Sequence, residues 1–427
     1  MLTFAELRRR EYSRLDEQGH TYADYTGSAL YGASQIRAQQ ALLAGGIFGN
    51  PHAESPASRA STETIERVRD VVLQFFDADR STHDVVFTAN TTAAIKLVAE
   101  SYPFGAEHAC VLSIDNHNSV NGIREYARAA GAAIRSVDLE RGGVPPISKG
   151  LFAFPAQSNF SGTRYPLSLV DLAHERGLDV LVDAAAFAPS HALSLRTCKA
   201  DFVALSFYKL FGYPTGVGAL IARREALAKL RRPWFAGGTV TYASVGADRH
   251  RLRPGHDAFE DGTPNFLGIA ALPAGFALLN EIGMPRITAH VDRLTSMFAE
   301  KAGELATMYG RTTLNIDGVP YWEVEERARQ ENISLRGGCF CNPGASELAF
   351  GLRRLGPCLD ALGDGFTVQR FAACTGRTVG AVRVSFGIAN DDGDVSRVVD
   401  FLRRIRLTAR SGQFAATSRG LPATASN

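Results

Sequence analysis

From about Glu63 to Leu220 the sequence repeats one pattern: a short apolar segment, a turn, then a helical stretch. The apolar segments fall at 84–88, 109–113, 133–137, 150–154, 179–183, 201–205 and 218–221. They are β-branched or apolar and bounded by turn residues, as strands are. Strands joined through helices run parallel, and the helices cover both faces of the sheet. The pattern therefore predicts an α/β fold built on a mostly parallel sheet.

The flanking regions read differently. Residues 1–40 suggest a helix, a short strand near 21–25, a loop and another helix. After Thr263, residues 265–279 and 286–309 read as long helices, followed by a smaller α+β region to about Thr408. A chain of 427 residues suits one large and one small domain. The expected division is 41–280 for the large domain and 1–40 with 281–410 for the small one. Residues 411–427 are small and polar, and a disordered tail is expected there.

In an open α/β sheet, ligands gather beyond the carboxyl ends of the strands. Here those ends carry an unusual set of residues. After the first strand, Thr91 and Thr92 open a helix, whose free N–H groups and hydroxyls suit a phosphate. A simple N-cap explains one of them equally well. After the second strand comes His117, a surface histidine or one that stacks on a flat ring. After the fourth come Gln157 and Asn159, neutral amides able to hold a phenolic oxygen or a carboxylate, or to form Asx turns. Asp183 ends the fifth strand, where a carboxylate is costly to bury without a cationic partner. A protonated pyridine nitrogen is such a partner.

Lys209 follows the sixth strand in Ser206-Phe-Tyr-Lys209. The chain has six lysines, and the other five read as solvated charges. A lysine at the end of a buried strand is partly desolvated, which lowers its pKa and frees its amine for Schiff-base chemistry. By itself it also reads as a snorkelling side chain. Ser206 and Tyr208 flank it and could reach the same phosphate. Taken in order along the chain, these are the parts of a pyridoxal phosphate site: a ring-nitrogen partner, an amine, a ring cover and a phosphate cradle.

Val182-Asp183 followed by Ser206-Phe-Tyr-Lys209 resembles the class V aminotransferase group of fold-type I pyridoxal phosphate enzymes, which includes the cysteine desulfurases. Within that group the chain looks most like the amino-terminal sulfurase domain of molybdenum cofactor sulfurases. The segments at 22–31, 115–120, 154–162, 259–263 and 338–345 carry this likeness, which covers about residues 5–408. The resemblance implies roles by position. Lys209 matches the Schiff-base lysine, Asp183 the ring-nitrogen partner and His117 the stacking histidine. Thr91, Thr92 and Ser206 match phosphate ligands. Gly262 and Thr263 match a segment that reaches the phosphate of a neighbouring subunit, which implies a homodimer. Arg383 matches the clamp for a substrate α-carboxylate, a task suited to a planar guanidinium; its alternative is a surface arginine on an edge strand. Arg336 and Asn159 are expected beside it.

Arg336-Gly-Gly-Cys-Phe-Cys341 resembles the loop that bears the desulfurase nucleophile, with Cys341 at the cysteine position. A thiolate there takes sulfur from a cysteine adduct as a persulfide and leaves alanine. Cys339 and Cys341 also read as packing residues or half of a zinc site, but no second pair with suitable spacing is evident, so no metal is expected. Three positions depart from the family pattern. Ala186 stands where many desulfurases have Gln, with Gln157 a possible substitute. Tyr208 replaces a His, and Ser346 replaces a further Cys. No counterpart of the carboxy-terminal domain of the fused sulfurases is expected within these residues, which leaves the acceptor open.

The expected activity is a desulfurase or sulfurtransferase acting on L-cysteine or a cysteine derivative, with a sulfur-acceptor protein or cofactor as partner. The rivals are a carbon–sulfur lyase, an aminotransferase or epimerase, and a binding protein that keeps the fold without catalysis. A net charge of +2 gives no support for a nucleic-acid or membrane partner. No apolar run is long enough to span a bilayer, and the charged N-terminus does not read as a signal peptide. Six cysteines do not make a disulfide framework, and a cytoplasmic location is the simplest expectation.

Overall fold

The computed structural model describes residues 2–352 and 355–411. Its centre is a seven-stranded sheet. The strands are β1 (His83–Thr88), β2 (Ala109–Ser113), β3 (Ala133–Val137), β4 (Gly150–Pro155), β5 (Leu178–Asp183), β6 (Phe202–Ser206) and β7 (Gly218–Arg223). Their order is β1-β7-β6-β5-β4-β2-β3. Every pairing is parallel except those of β7, which runs antiparallel to both β1 and β6. The expected mostly parallel α/β sheet is present.

The strand sequences explain their places. β2, β4 and β6 are buried along their whole length, as continuous apolar runs must be when both faces are covered. β3 is the exception, and it lies at the sheet edge with Arg135 on it. One apolar layer packs Ile65, Val68 and Val72 against Phe152, Phe154 and Phe276. The layer on the other face packs Ile95 and Val98 of helix α1 (Thr91–Ser101) against Cys110, Leu151 and Leu220.

Downstream, β8 (Val240–Ser244) and β9 (Arg249–Leu252) form an antiparallel hairpin that the periodicity did not mark. Its residues are mostly exposed, so no apolar alternation signals it. Helices α2 (Phe266–Ile282) and α3 (Met284–Gly303) follow. Where a single helix was expected over 286–309, α3 ends at Gly303. Residues Thr307–Met308 turn into β10, which pairs with β11 (Thr313–Asn315). Glycine at the helix end and tertiary pairing of the next residues stop the helical pattern there. β12 (Arg336–Gly338) and β13 (Ala381–Arg383) complete a four-stranded antiparallel sheet in the order β10-β11-β13-β12.

Cys358 and Cys374 are joined by a disulfide between helices Gly356–Leu362 and Val368–Thr375. This single short-range link was not anticipated from the cysteine count, because spacing alone does not show which thiols meet. Of the expected tail at 411–427, all but Ser411 lies outside the described residues. No single helix among the described residues is long and apolar enough to cross a membrane.

Candidate active site

Strand register sets the site. Pro155 of β4 pairs with Asp183 of β5, and Asp183 pairs with Ala204 of β6. Thr88 and Ser206 both pair with Gly218 of β7. The carboxyl ends of the parallel strands therefore lie side by side along one edge. A side chain at Gly218 would sit 2.6 Å from the Asn90 backbone, so a glycine is required for the turn into α1 to approach β7 so closely.

One cavity opens on this edge. Its walls include Thr91, Thr92, His117, Gln157, Asn159, Asp183, Ser206, Tyr208 and Lys209. Nine candidate site residues from the sequence thus meet in one place, with Ala186, which departs from the family pattern, and with Asn90 and Ser119, which were not singled out. Asn90 is the extended N-cap of α1, and its side chain accepts from the Ala93 N–H. An Asn before a Thr-Thr helix start is its sequence signal. Ser206 Oγ accepts from the Thr91 N–H at 2.7 Å and pairs with the Thr91 hydroxyl at 2.6 Å. Thr92 pairs with Ser119, and Ser119 with His117 Nδ1 at 2.9 Å. The Ser119 N–H also donates to Nδ1, which fixes the imidazole proton on Nε2.

Lys209 sits on the short helix Phe207–Phe211, immediately after β6. Desolvation pulls its pKa below the usual lysine value; Asp183 opposes this, while Arg383 and Arg336 add to it. His117 is likewise held below its ordinary range by desolvation, with Asp183 opposing and Lys209 and Arg383 assisting. Both groups are biased toward the neutral form, which leaves them able to take up protons. Burial raises the Tyr208 phenol. Asp183 is buried, and its Oδ1 accepts the Ala185 N–H at 3.0 Å.

The two arginines lie beside this cavity rather than in its wall. Arg383 is 2% exposed. Its strand β13 lies between β11 and β12, which rules out the edge-strand alternative. Its guanidinium donates to the Asn159 carbonyl at 2.8 Å and to Asp24 Oδ1 at 3.0 Å. It also lies over the Phe340 ring, 4.7 Å from its centroid. Arg336 donates twice to Asp24 Oδ2, at 2.6 and 3.0 Å. Asp24 was not singled out in the sequence. It comes from the opposite end of the chain, and only the fold brings it between the two guanidiniums.

Cys341 is a free, exposed thiol, as is Cys339. The Cys341 carbonyl accepts the Asn118 N–H at 2.7 Å, so its loop abuts the residue after His117. The Asn159 side-chain amide donates to the Phe340 carbonyl and accepts from Asn342. Both ends of that amide thus serve the cysteine loop in this conformation. Gly262 and Thr263 stand apart from the cavity. The Gly262 carbonyl contacts His52, and the Thr263 hydroxyl accepts from Asn50. Among the described residues no group of three or more His, Cys, Asp and Glu is arranged to hold a metal ion.

Pyridoxal phosphate fits these residues. Gln157 Oε1 is buried and lacks a hydrogen-bond partner among the described residues, although Gln157 lines the cavity. Such an acceptor calls for a donor from a bound group. The start of α1 with Thr91, Thr92 and Ser206 suits the phosphate, and Asp183 suits a protonated ring nitrogen.

A mixed α/β sheet with a desolvated lysine, an aspartate and a helix start at its carboxyl edge defines a pyridoxal-phosphate-type enzyme fold. The aminotransferase class-V family model matches residues 21–398, and the chain belongs to that family. It is 34% identical to the molybdenum cofactor sulfurase of Solanum lycopersicum over 93% of this chain and 56% of that protein. The chain therefore spans little more than half the length of that relative. Its fold is similar to that of a cysteine desulfurase from Thermococcus onnurineus, with a TM-score of 0.78, 24% identity, and 96% of this chain and 99% of that one covered. A cysteine desulfurase from Escherichia coli matches with a TM-score of 0.77 at 22% identity, over 95% and 98% of the two chains.

Proposed function

We propose that the chain is a pyridoxal-phosphate-dependent cysteine desulfurase or sulfurtransferase that takes sulfur from L-cysteine or a cysteine derivative onto Cys341. The observation that carries this reading is the seating of the Cys341 loop. A free thiol stands on a loop tied through Asn118 to the histidine of the lysine cavity, with the buried arginine behind it. Likeness to sulfurases and desulfurases supports the same reaction.

When bound, the cofactor supplies an electron sink for charge that develops on the substrate α-carbon. The residues do the rest. Thr91, Thr92 and Ser206 hold the phosphate. Asp183 would keep the ring nitrogen protonated, His117 would cover the ring, and Gln157 would accept from a donor on it. Arg336 and Arg383 share one carboxylate, Asp24, and so retain one net positive charge for the substrate carboxylate. Lys209, with its pKa lowered by desolvation, removes the α-proton in its neutral form. The Cys341 thiolate then attacks the substrate sulfur. The carbon–sulfur bond breaks and its electron pair stays on the β-carbon; a proton added there, and the return of the α-proton from Lys209, give alanine. Cys341 keeps the sulfur as a persulfide for an acceptor protein or cofactor.

Incubation of the holoenzyme with L-cysteine should yield alanine, with sulfide appearing only when a reductant cleaves the persulfide. Pyruvate and ammonia as the main products would instead establish the carbon–sulfur lyase.

The reading includes a homodimer in which Gly262 and Thr263 reach the partner's phosphate site. Their separation from the cavity of their own chain supports this. Solution scattering of the holoenzyme should give a dimer mass, and a fully loaded monomer would refute the assignment. The reading also calls for Cys341 to remain a free thiol, as a reducing compartment such as the cytoplasm would keep it; the Cys358–Cys374 pair would there stand as two thiols.

A further inference from the structure

A buried polar network ties the Cys341 loop to the large sheet, and nothing in the reaction outlined above uses it. Two successive residues, Phe340 and Cys341, have left-handed backbones with φ of 57° and 55°. Non-glycine residues adopt that region at a cost and persist there only when their surroundings hold them. The next residue, Asn342, is 0% exposed. Its N–H donates to the Cys339 carbonyl at 3.0 Å. Its side-chain amide donates to Asp115 Oδ1 at 2.6 Å and to Asn159 Oδ1 at 2.9 Å. Its side-chain carbonyl accepts from the Ala345 N–H and caps helix α4 (Pro343–Phe350).

Asp115, 8% exposed, follows β2 and completes the anchor. It also accepts from the Ser158 hydroxyl at 2.8 Å and the Tyr165 hydroxyl at 2.9 Å. Both partners belong to the segment after β4. The loop is pressed close as well: a side chain at Gly344 would lie 2.1 Å from the Ile114 carbonyl. One buried carboxylate therefore gathers donors from the β4 side of the sheet and from the cysteine loop. A buried carboxylate that receives three donors makes a strong and directional anchor.

We propose that Asp115 and Asn342 are positioning residues for sulfur transfer, locking the left-handed Phe340–Cys341 pair so that the Cys341 thiol faces the substrate sulfur. The assignment rests on Cys341 being the sulfur acceptor. Neither residue touches substrate; both act through the backbone of Cys341. The network passes through Asn159, whose main-chain carbonyl receives Arg383. The carboxylate clamp and the nucleophile loop thus share one support, and a substrate seated on the first meets a thiol registered by the second.

Asn342→Asp separates positioning from folding. Aspartate caps a helix as well as asparagine does, so α4 keeps its start. The donor to Asp115 and Asn159 is lost, and two carboxylates face each other. In the holoenzyme, alanine formation should fall about a hundredfold in kcat, the scale of a misplaced reacting group, while KM for cysteine stays within about twofold. The visible absorbance of the Lys209-linked cofactor should be unchanged. Hydrogen exchange should quicken at Asn342 and Asn118, whose N–H groups bond within and onto the loop. Asp115→Asn should act in the same direction. The double variant Asp115→Asn with Asn342→Asp reverses donor and acceptor between these two residues, without restoring the bond to Asn159, and should recover part of the lost kcat.

Unchanged kcat and exchange in both single variants would overturn the proposal. So would a rise in KM alone, which would assign the network to substrate binding. If Asn342→Asp does not fold, Asp115→Asn and the double variant carry the test. Full alanine formation by Cys341→Ser would defeat the sulfur-acceptor reading and, with it, the positioning role.

Discussion

Cys341→Ser should abolish alanine and persulfide formation from L-cysteine while leaving cofactor loading and substrate binding intact. A serine hydroxyl stays protonated at neutral pH and is a poor nucleophile toward sulfur, whereas a thiolate is a good one. The side chain is exposed, so the exchange removes no core packing. The loop should also keep its shape, because the bonds at this residue are made by its backbone. The loss should exceed about a thousandfold, the scale of removing a group that forms the covalent intermediate. Cys339→Ser is the control, since that thiol lies two residues away on the same loop and is equally free. The measurement is single-turnover alanine release together with persulfide labelling. If Cys341→Ser keeps wild-type turnover and releases pyruvate, ammonia and a thiol, elimination by Lys209 suffices and the lyase reading takes over.

Asp183→Asn should cost at least about a thousandfold in turnover, or about 4 kcal/mol at ~1.4 kcal/mol per tenfold. The fold should survive, because an asparagine carbonyl can still accept the Ala185 N–H that Asp183 accepts now. What disappears is the charge. Asp183 is the leading influence that favours the protonated forms of Lys209 and His117. Its removal should shift both pKa values further down. The pH dependence of cofactor loading onto the free Lys209 of the apoenzyme, read by borohydride trapping, should then move to lower pH, because the amine loses its proton earlier on the pH scale. Peptide mapping should place the reduced adduct on Lys209 in both proteins. Near-normal turnover in the variant would mean that Asp183 does not face the ring nitrogen, and an adduct on another lysine would displace the site altogether.

Most of the cavity was legible in the sequence because a parallel sheet collects its strand ends. Once 84–88, 109–113, 150–154, 179–183 and 201–205 were read as strands, the residues just after them had to share an edge. Thr91, His117, Gln157, Asp183 and Lys209 therefore meet although up to 118 positions separate the first from the last, and each was identifiable by its place after an apolar run. The boundary of α3 was misread for the complementary reason. Residues up to Tyr309 continue a helical pattern, but pairing of Thr307–Met308 with Asn315 and Leu314 outweighs local preference.

Local periodicity determined the class of fold and the strand ends, because those signals lie within a few residues of one another; the roles of the lysine and aspartate came from their order along the chain and from the family resemblance. Tertiary structure alone decided the contacts between distant segments. Asp24 joins Arg336 and Arg383 across 312 and 359 positions, and Asp115 meets Asn342 across 227. Nothing in the composition of either segment distinguishes these pairings from the many other acid–base and acid–amide pairs the chain could form. The left-handed backbone at Phe340 and Cys341 belongs with them. Neither residue type favours that conformation, and it exists only because bonds from Asn118, Asn159 and Asp115, all on the large-sheet side, close around the loop once the chain has folded.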